Sequence, residues 1–308
     1  MRIEDVRQCS FDTWYPEFRT VSVESYVPNK TNHDSSSSDS GPEFPEFESK
    51  LSEAIDQLGG VVFPKLNWSC PKDAAWMLCG NSLKCRTFSD IYLLLKSSDF
   101  TAHDLYCPYL LCSDAPLPNE QSSDITEFKL KLVLRRWTDI QPDGEFRCFV
   151  RGHKLVAISQ RIYDAYFSSI IDDEERIVQE LGTFFLEHIR DRFPLAEYTF
   201  DVYRESSVGC AFYFTRHVCP KGHTILIDFN VFGPPTEPLL FSWDELENMD
   251  PTPEDRSPIF KCQRDSSIRP SVFQQYQYPV EMTELWSVTD PGKMIDLIQE
   301  VSHACFIS

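Results

Sequence analysis

The chain has 308 residues, 42% of them apolar and 13% aromatic, enough to bury a sizeable core in one large domain or two intimate lobes. A formal net charge of −19 and a pI of about 4.7 exclude nucleic-acid or anionic-membrane binding as a main activity, because such a chain repels phosphate backbones. A basic protein partner, or an anionic ligand bound with a cation, is expected instead. Eleven cysteines with no C-x-x-C pair, after an N-terminus "MRIEDVRQCS" without an apolar signal run, predict a reduced protein of the cytosol or nucleus with buried free thiols. No stretch reaches the roughly 18 apolar residues of a membrane span.

Residues 1–28 read as a segment packed on the core, and residues 29–43, "NKTNHDSSSSDSGPE", as a flexible acidic Ser-rich loop with phosphorylation as the minority reading. Phe47, Leu51, Ala54, Ile55 and Leu58 then recur at helical spacing, and Gly59-Gly60 end that helix. "VVFPK" predicts a strand, and Ser89 an N-cap for a helix over "DIYLLLKSS". In "EFKLKLVLRRW", Phe128, Leu130, Leu132 and Leu134 alternate onto one strand face. "EFRCFV" and "KLVAISQR", joined by Arg151-Gly152-His153, predict a hairpin. Ile177, Leu181, Phe184, Phe185 and Ile189 mark an amphipathic helix over about 174–191. "TFDVYR" and "TILIDFN" are two further strands, followed by a short helix in "FSWDELEN". Residues 250–308 are expected to wrap the surface and end in a helix near 291–304. The order predicts an α+β fold with a largely antiparallel sheet and not a run of βαβ units.

The run "ILIDFNVFG" poses the chemical question, since Asp228 and Asn230 share one strand face while Ile227 and Phe229 share the other. A buried carboxylate is costly unless a donor satisfies it or a cation binds it. Asp201 in "FDVYR" points away from Phe200 and Val202, so neighbouring strands would bring Asp201, Asp228 and Asn230 to one spot. Three hard oxygen donors suit Mg²⁺, which shares its shell with phosphate; carboxylates paired in a turn or with Arg204 are the other reading. Lys65 follows an apolar strand, Arg147 shares a face with Glu145, and Gln160 and Arg161 end the next strand. Singly these are surface charges; together they are the set a nucleoside triphosphate requires. No P-loop, G-x-G-x-x-G, kinase H-R-D or D-F-G, or G-x-S-x-G element occurs. Cys210, Cys219 and His223 have irregular spacing and lack a fourth ligand, which argues against zinc.

The blocks "FDTWYPEF", "PEFPEF", "GGVVFPKLNWSCPKDAAWM", "SLKCRTFSDIYLLLKSSDF", "LVLRRW", "EFRCFVRGHKLVAISQR", "FDVY" and "LIDFNVFG" resemble the cell division cycle 123 family of eukaryotes over about residues 9–245. That resemblance implies a two-lobed ATP-grasp-like fold, with lobes over 44–126 and 127–249 and ATP and Mg²⁺ between them. It further implies a cytoplasmic monomer that chaperones assembly of translation initiation factor 2 by binding the third domain of its γ subunit. Lys65 and Arg147 would meet phosphate, and Arg135, Arg136 and Trp137 would present backbone groups to adenine. Gln160 and Arg161 would line the pocket beside Glu145, and Asp201, Asp228 and Asn230 would hold the metal. The 26 residues between Asp201 and Asp228 exceed the short hairpin of the family, so 208–223 reads as an insertion or a translated intron. The ending "HACFIS" also departs from the acidic tail expected. Two alternatives remain: an ATP-grasp carboxylate–amine ligase, or an interaction module with a vestigial nucleotide site.

Overall fold

The structure is a computed structural model that describes residues 1–27, 45–115, 130–205, 224–250 and 257–266. In chain order its elements are α1 (Ile3–Gln8), α2 (Phe11–Phe18), β1 (Ser25–Tyr26), α3 (Pro45–Gln57), β2 (Val62–Lys65), α4 (Phe88–Lys96), α5 (Asp99–Tyr106) and β3 (Val133–Arg136). There follow β4 (Glu145–Arg151), β5 (Lys154–Gln160), α6 (Ser168–Asp172), α7 (Glu174–Phe184), β6 (Tyr198–Arg204), β7 (Thr224–Val231), α8 (Trp243–Glu247) and β8 (Ile259–Lys261). The strands form two sheets, ordered β1-β3-β2 and β7-β6-β4-β5-β8, and every pairing except β5 with β8 is antiparallel. The α+β class with largely antiparallel sheets is therefore as the sequence predicts.

Alternation along the strands decides which side chain meets which core. On β3, Leu134 joins a core with Leu51, Ile55, Val62, Ile91 and Leu94, between the three-stranded sheet and α3 and α4. Val133, one residue earlier, joins the larger core of the five-stranded sheet, and Arg135 shares its face. That larger core buries Phe146, Cys148, Phe200, Val202, Leu226 and Phe229 under α1, α2 and α7. Its centre is aromatic: Phe193 stacks on Phe229 with centroids 3.9 Å apart, while Trp14 and Phe18 meet Phe229 at 5.4 and 5.1 Å.

Local chemistry explains most boundaries. After α3 the backbone turns left-handed at Gly59 and Gly60, and the Gly60 N–H closes on the Ile55 carbonyl at 2.8 Å. The β4–β5 hairpin turns on Gly152 and His153, both at positive φ, as a tight primed turn demands. The predicted helix over 174–191 appears as α7 continuing into a π-helical turn, Phe185–Ile189.

Four expectations need correction. The cap of α4 is Thr87, not Ser89: the Thr87 hydroxyl accepts the Asp90 N–H at 3.2 Å while the Asp90 carboxylate accepts the Thr87 N–H at 3.0 Å. In the alternating run 127–137, only Val133–Arg136 is strand among the described residues, which begin at 130, and Leu130 is exposed. Residues 259–261, expected to wrap the surface, instead add β8 to the sheet edge. Finally, Leu226, not Ile227, shares the buried face with Phe229: Asp201 pairs with Asp228 but Val202 pairs with Leu226, so Ile227 bulges out of the ladder. The loop at 29–43, the stretch 208–223 with Cys210, Cys219 and His223, and the helix at 291–304 lie outside the described residues.

Candidate functional site

The face of the five-stranded sheet opposite the aromatic core carries the charge. On β4, Glu145 and Arg147 alternate with the buried Phe146 and Cys148, and cross-strand pairing sets Arg147 opposite Asp201 on β6. Asp201 is in turn the register partner of Asp228 on β7, and the Asn230 amide donates to Asp201 Oδ2 at 3.4 Å. The three oxygen-bearing side chains therefore meet on one face of two adjacent strands.

The three-stranded sheet supplies the opposing cations. Lys65 ends β2 on the face away from Val62, is only 2% exposed, and pairs with Asp228 Oδ2. Arg135, opposite Phe63 on β3, donates to the Ile227 carbonyl at 2.8 Å. That carbonyl belongs to the bulged residue, so the bulge is what the arginine grips. The Phe11 ring lies under both cations, at 5.3 Å from Lys65 Nζ and 5.5 Å from Arg135 Cζ. Among the described residues, the buried Arg135 Nε and Nη2 find no hydrogen-bond partner, a cost sustained only where something else recovers it.

Arg147 grips Asp201 with two parallel bonds, Nε to Oδ1 and Nη2 to Oδ2, both 2.7 Å, and its Nη1 donates to the Glu237 carbonyl at 2.8 Å. Arg161 is held more loosely, 3.9 Å from Asp201 Oδ2 and 3.8 Å from Glu237 Oε2. Burial alone would raise the Asp201 carboxyl, yet Arg147, with Arg161 and Lys72, outweighs it and holds the group below its usual value. Asp228 is pushed up by burial against the pull of Lys65 and Arg135. Burial pushes Glu145 up to about 7, with Arg161 opposing and Asp201 reinforcing the shift. Burial and the neighbouring Arg161 lower Lys72.

Some predicted residues stand elsewhere. Gln160 pairs with Phe146 and so lies on the core face, where its amide donates to the carbonyls of Ile162 and Ala165 and its oxygen accepts the Gln263 N–H at 3.1 Å. Its hydrogen-bonding capacity is spent on the backbone. Arg136 shares the face of Leu134 and pairs with Glu24, while the Trp137 indole donates to Asp139 at 2.7 Å. The main-chain N–H groups of Arg136 and Trp137 are bonded to the carbonyls of Glu24 and Val61, at 2.8 and 3.0 Å. They are not open donors for a base. Arg204, the alternative partner of the carboxylates, binds Asp173 and Glu180 instead.

Sequence reasoning missed Lys72, Cys70 and Glu237. Lys72 is within electrostatic reach of Arg161, Cys70, Glu237 and Arg147. Its signal was its place in the same "PKLNWSCPKD" block as Lys65. The loop is fixed from α5: Asp104, 4% exposed, accepts the N–H and the hydroxyl of Ser69 at 2.8 Å each. Glu237 carried no signal, since a loop acid after a strand is ordinarily solvated.

Fold and site together define an α+β protein with two largely antiparallel sheets and a buried seam of paired charges between them. The chain belongs to the D123 family, whose model matches residues 17–286. The Translation initiation factor eIF2 assembly protein of Xenopus laevis is 37% identical over 348 positions, covering 97% of this chain and 96% of that protein. Cell division cycle protein 123 of Yarrowia lipolytica is 34% identical over 309 positions, covering 85% and 76%. The solved structure of C-terminally truncated Cdc123 from Schizosaccharomyces pombe aligns with a TM-score of 0.71 at 34% identity, covering 86% of this chain and 99% of that one.

Proposed function

We propose that the chain is an ATP- and magnesium-binding assembly factor that promotes formation of translation initiation factor 2 in the cytoplasm by binding its γ subunit. The assembly role rests on the names of its relatives; the nucleotide role rests on one electrostatic observation. In a chain of net charge −19, the cations Lys65, Lys72, Arg135, Arg147 and Arg161 outnumber the carboxylates Asp201, Asp228 and Glu237, even with Glu145 ionised. A partly buried positive surplus inside an acidic protein suits a polyanion.

The donor set fits magnesium by its chemistry: Asp201, Asp228 and Asn230 offer hard oxygens on one face, and Asp201 is held ionised. Among the described residues no three His, Cys, Asp or Glu side chains form a metal set, so the Asn230 amide is needed as the third donor. When bound, the ion would neutralise and orient phosphate oxygens. The chain's own residues do the rest. Lys65 and Arg135 from one sheet, and Arg147, Arg161 and Lys72 facing them, bind the phosphates. Ion pairs with Asp228, Asp201 and Glu237 keep Lys65, Arg147 and Arg161 in place when no ligand is present, and the Ile227 carbonyl holds Arg135. In an ATP-grasp reading the two sheets are the walls of the nucleotide cleft, and the outer acidic surface meets a basic face of the γ subunit.

The test is a pull-down of the γ subunit with and without ATP-Mg²⁺, at low and raised salt. Capture should increase with nucleotide and fall with salt, because steering by net charge is screened. Capture indifferent to both overturns the reading. ATP turnover stimulated by a small carboxylate and an amine, and not by the γ subunit, would assign the chain to ligases instead.

A further inference from the structure

Glu237 lies in the loop that follows β7, and that loop folds back over the charged face. Its carbonyl accepts Arg147 Nη1 at 2.8 Å, its carboxylate lies 3.8 Å from Arg161 Nη1, and its other oxygen accepts the Tyr163 hydroxyl at 2.7 Å. One residue thus engages both arginines on the β4–β5 side of the seam. The two engagements differ in kind. Arg147 is locked by two short bonds to Asp201, whereas both ion pairs of Arg161 are longer than a hydrogen bond. Arg161 is the cation most easily drawn to a new anion, and the Glu237 side chain, 29% exposed, is the anion most easily displaced from it.

Tyr163 keeps that carboxylate over the site. Burial and the Glu237 charge push the phenol up, so it remains a hydroxyl donor at every physiological pH. We propose that Glu237 is a resident counter-anion: it holds Arg161 in the free protein, competes with an incoming polyphosphate for it, and thereby sets the affinity and salt response of the site. This rests on the nucleotide reading above, because the competing ligand is the phosphate chain. It also separates Glu237 from Asp201 and Asp228, whose removal should weaken binding.

The sign of the effect is the test. Full-length wild type, Glu237→Gln, Glu237→Asp and Tyr163→Phe are titrated calorimetrically with inorganic triphosphate, with and without Mg²⁺, and with ATP-Mg²⁺. Glu237→Gln should bind roughly twofold to fivefold more tightly, with or without the metal, the scale of one partly exposed ion pair. Tyr163→Phe, which frees the carboxylate without removing it, should fall between wild type and Gln, and Glu237→Asp should stay near wild type. Unchanged or weaker binding by Glu237→Gln overturns the proposal, and a loss seen only with Mg²⁺ would make Glu237 a metal ligand instead. If Glu237→Gln fails to fold by circular dichroism, Tyr163→Phe carries the test, and wild-type affinity there overturns it. Wild type that binds neither triphosphate nor ATP refutes the nucleotide reading itself.

Discussion

Strand β6 carries two charged side chains that enter ion clusters on opposite faces of one sheet. Asp201 points to the seam, where Arg147 grips it and Arg161, Lys72 and Lys65 stand nearby. Arg204, an odd number of residues later and 3% exposed, points to α7, where Asp173 and Glu180 take its donors. Arg176 adds a second cation there, so the cluster is locally neutral and every charge has a partner. The seam has cations in surplus and a buried guanidinium whose Nε and Nη2 have no partner among the described residues. A closed, neutral cluster is what a fold needs to tie a helix to a strand; an open, positive one is what an anion needs to bind. The two differ in their response to substitution, and four experiments separate them.

The largest effect is expected in the closed cluster. Arg204→Met takes a buried guanidinium away from two carboxylates that keep Arg176 and partial solvation, so the cost should be about 2–3 kcal/mol, the scale of lost hydrogen bonds to charged groups. Urea unfolding should show that loss, while the folded variant binds ATP-Mg²⁺ as wild type does. A large drop in affinity with unchanged stability would erase the distinction between the clusters.

In the seam the expectation reverses. Lys65→Ala should cost roughly 2 kcal/mol or more in ATP-Mg²⁺ affinity, the scale for truncating one member of a buried charge pair. Asp228→Ala should weaken metal-dependent binding strongly while far-ultraviolet circular dichroism stays native. Wild-type affinity in both variants, measured calorimetrically, would remove these residues from the site.

A third experiment uses proton linkage within the seam. Glu145 has a folded pKa of about 7 against an ordinary value of 4.5. Between those values the folded state binds more protons than the unfolded state, so this group's contribution to stability falls as pH rises through the window and levels off above about 7. Glu145→Gln removes that fall. At pH 8 the variant should be more stable than wild type by about 1–3 kcal/mol, and the two should converge near pH 4. Equal stability at both pH values would show that solvent, not buried sheet, surrounds Glu145.

How much of this was legible in the sequence depends on one kind of irregularity. The pairing of Asp201 with Asp228 followed from two strands and a period of two, and the helices from their apolar spacing and the Gly59-Gly60 stop. What strand period cannot supply is a bulge, because one extra residue reverses every later face. The hairpin begins with Arg151 opposite Lys154, and an unbroken ladder would set Gln160 opposite Glu145 on the charged face. The register shifts between Phe149 and Val150, leaving Val156 unpaired, so Gln160 falls opposite Phe146 and turns into the core. Arg161, next along, donates its N–H to the Glu145 carbonyl and reaches the seam instead. The bulge at Ile227 likewise moved the apolar face of β7 from Ile227 to Leu226. Sheet membership was hidden for another reason: β3 lies after residue 127 yet pairs with β1 and β2, so the passage between sheets falls after Arg136.

The smallest expected effect closes the comparison within the neutral cluster itself. Arg176 contacts Asp173 and Glu180 from three and four residues away on one helix, but its side chain is 45% exposed, against 4% for Arg204. A solvated helical pair gains little, since water already satisfies both charges and the long side chain loses freedom when held. Arg176→Ala should therefore leave the thermal midpoint nearly unmoved, and added salt should not change that result, while Arg204→Met shifts it by several degrees. If Arg176→Ala instead matched Arg204→Met, the cluster would be an interdependent network, and neutrality alone would no longer mark the closed kind. The double variant then decides: losses that add show independent partners, and a combined loss no larger than either single one shows a shared network.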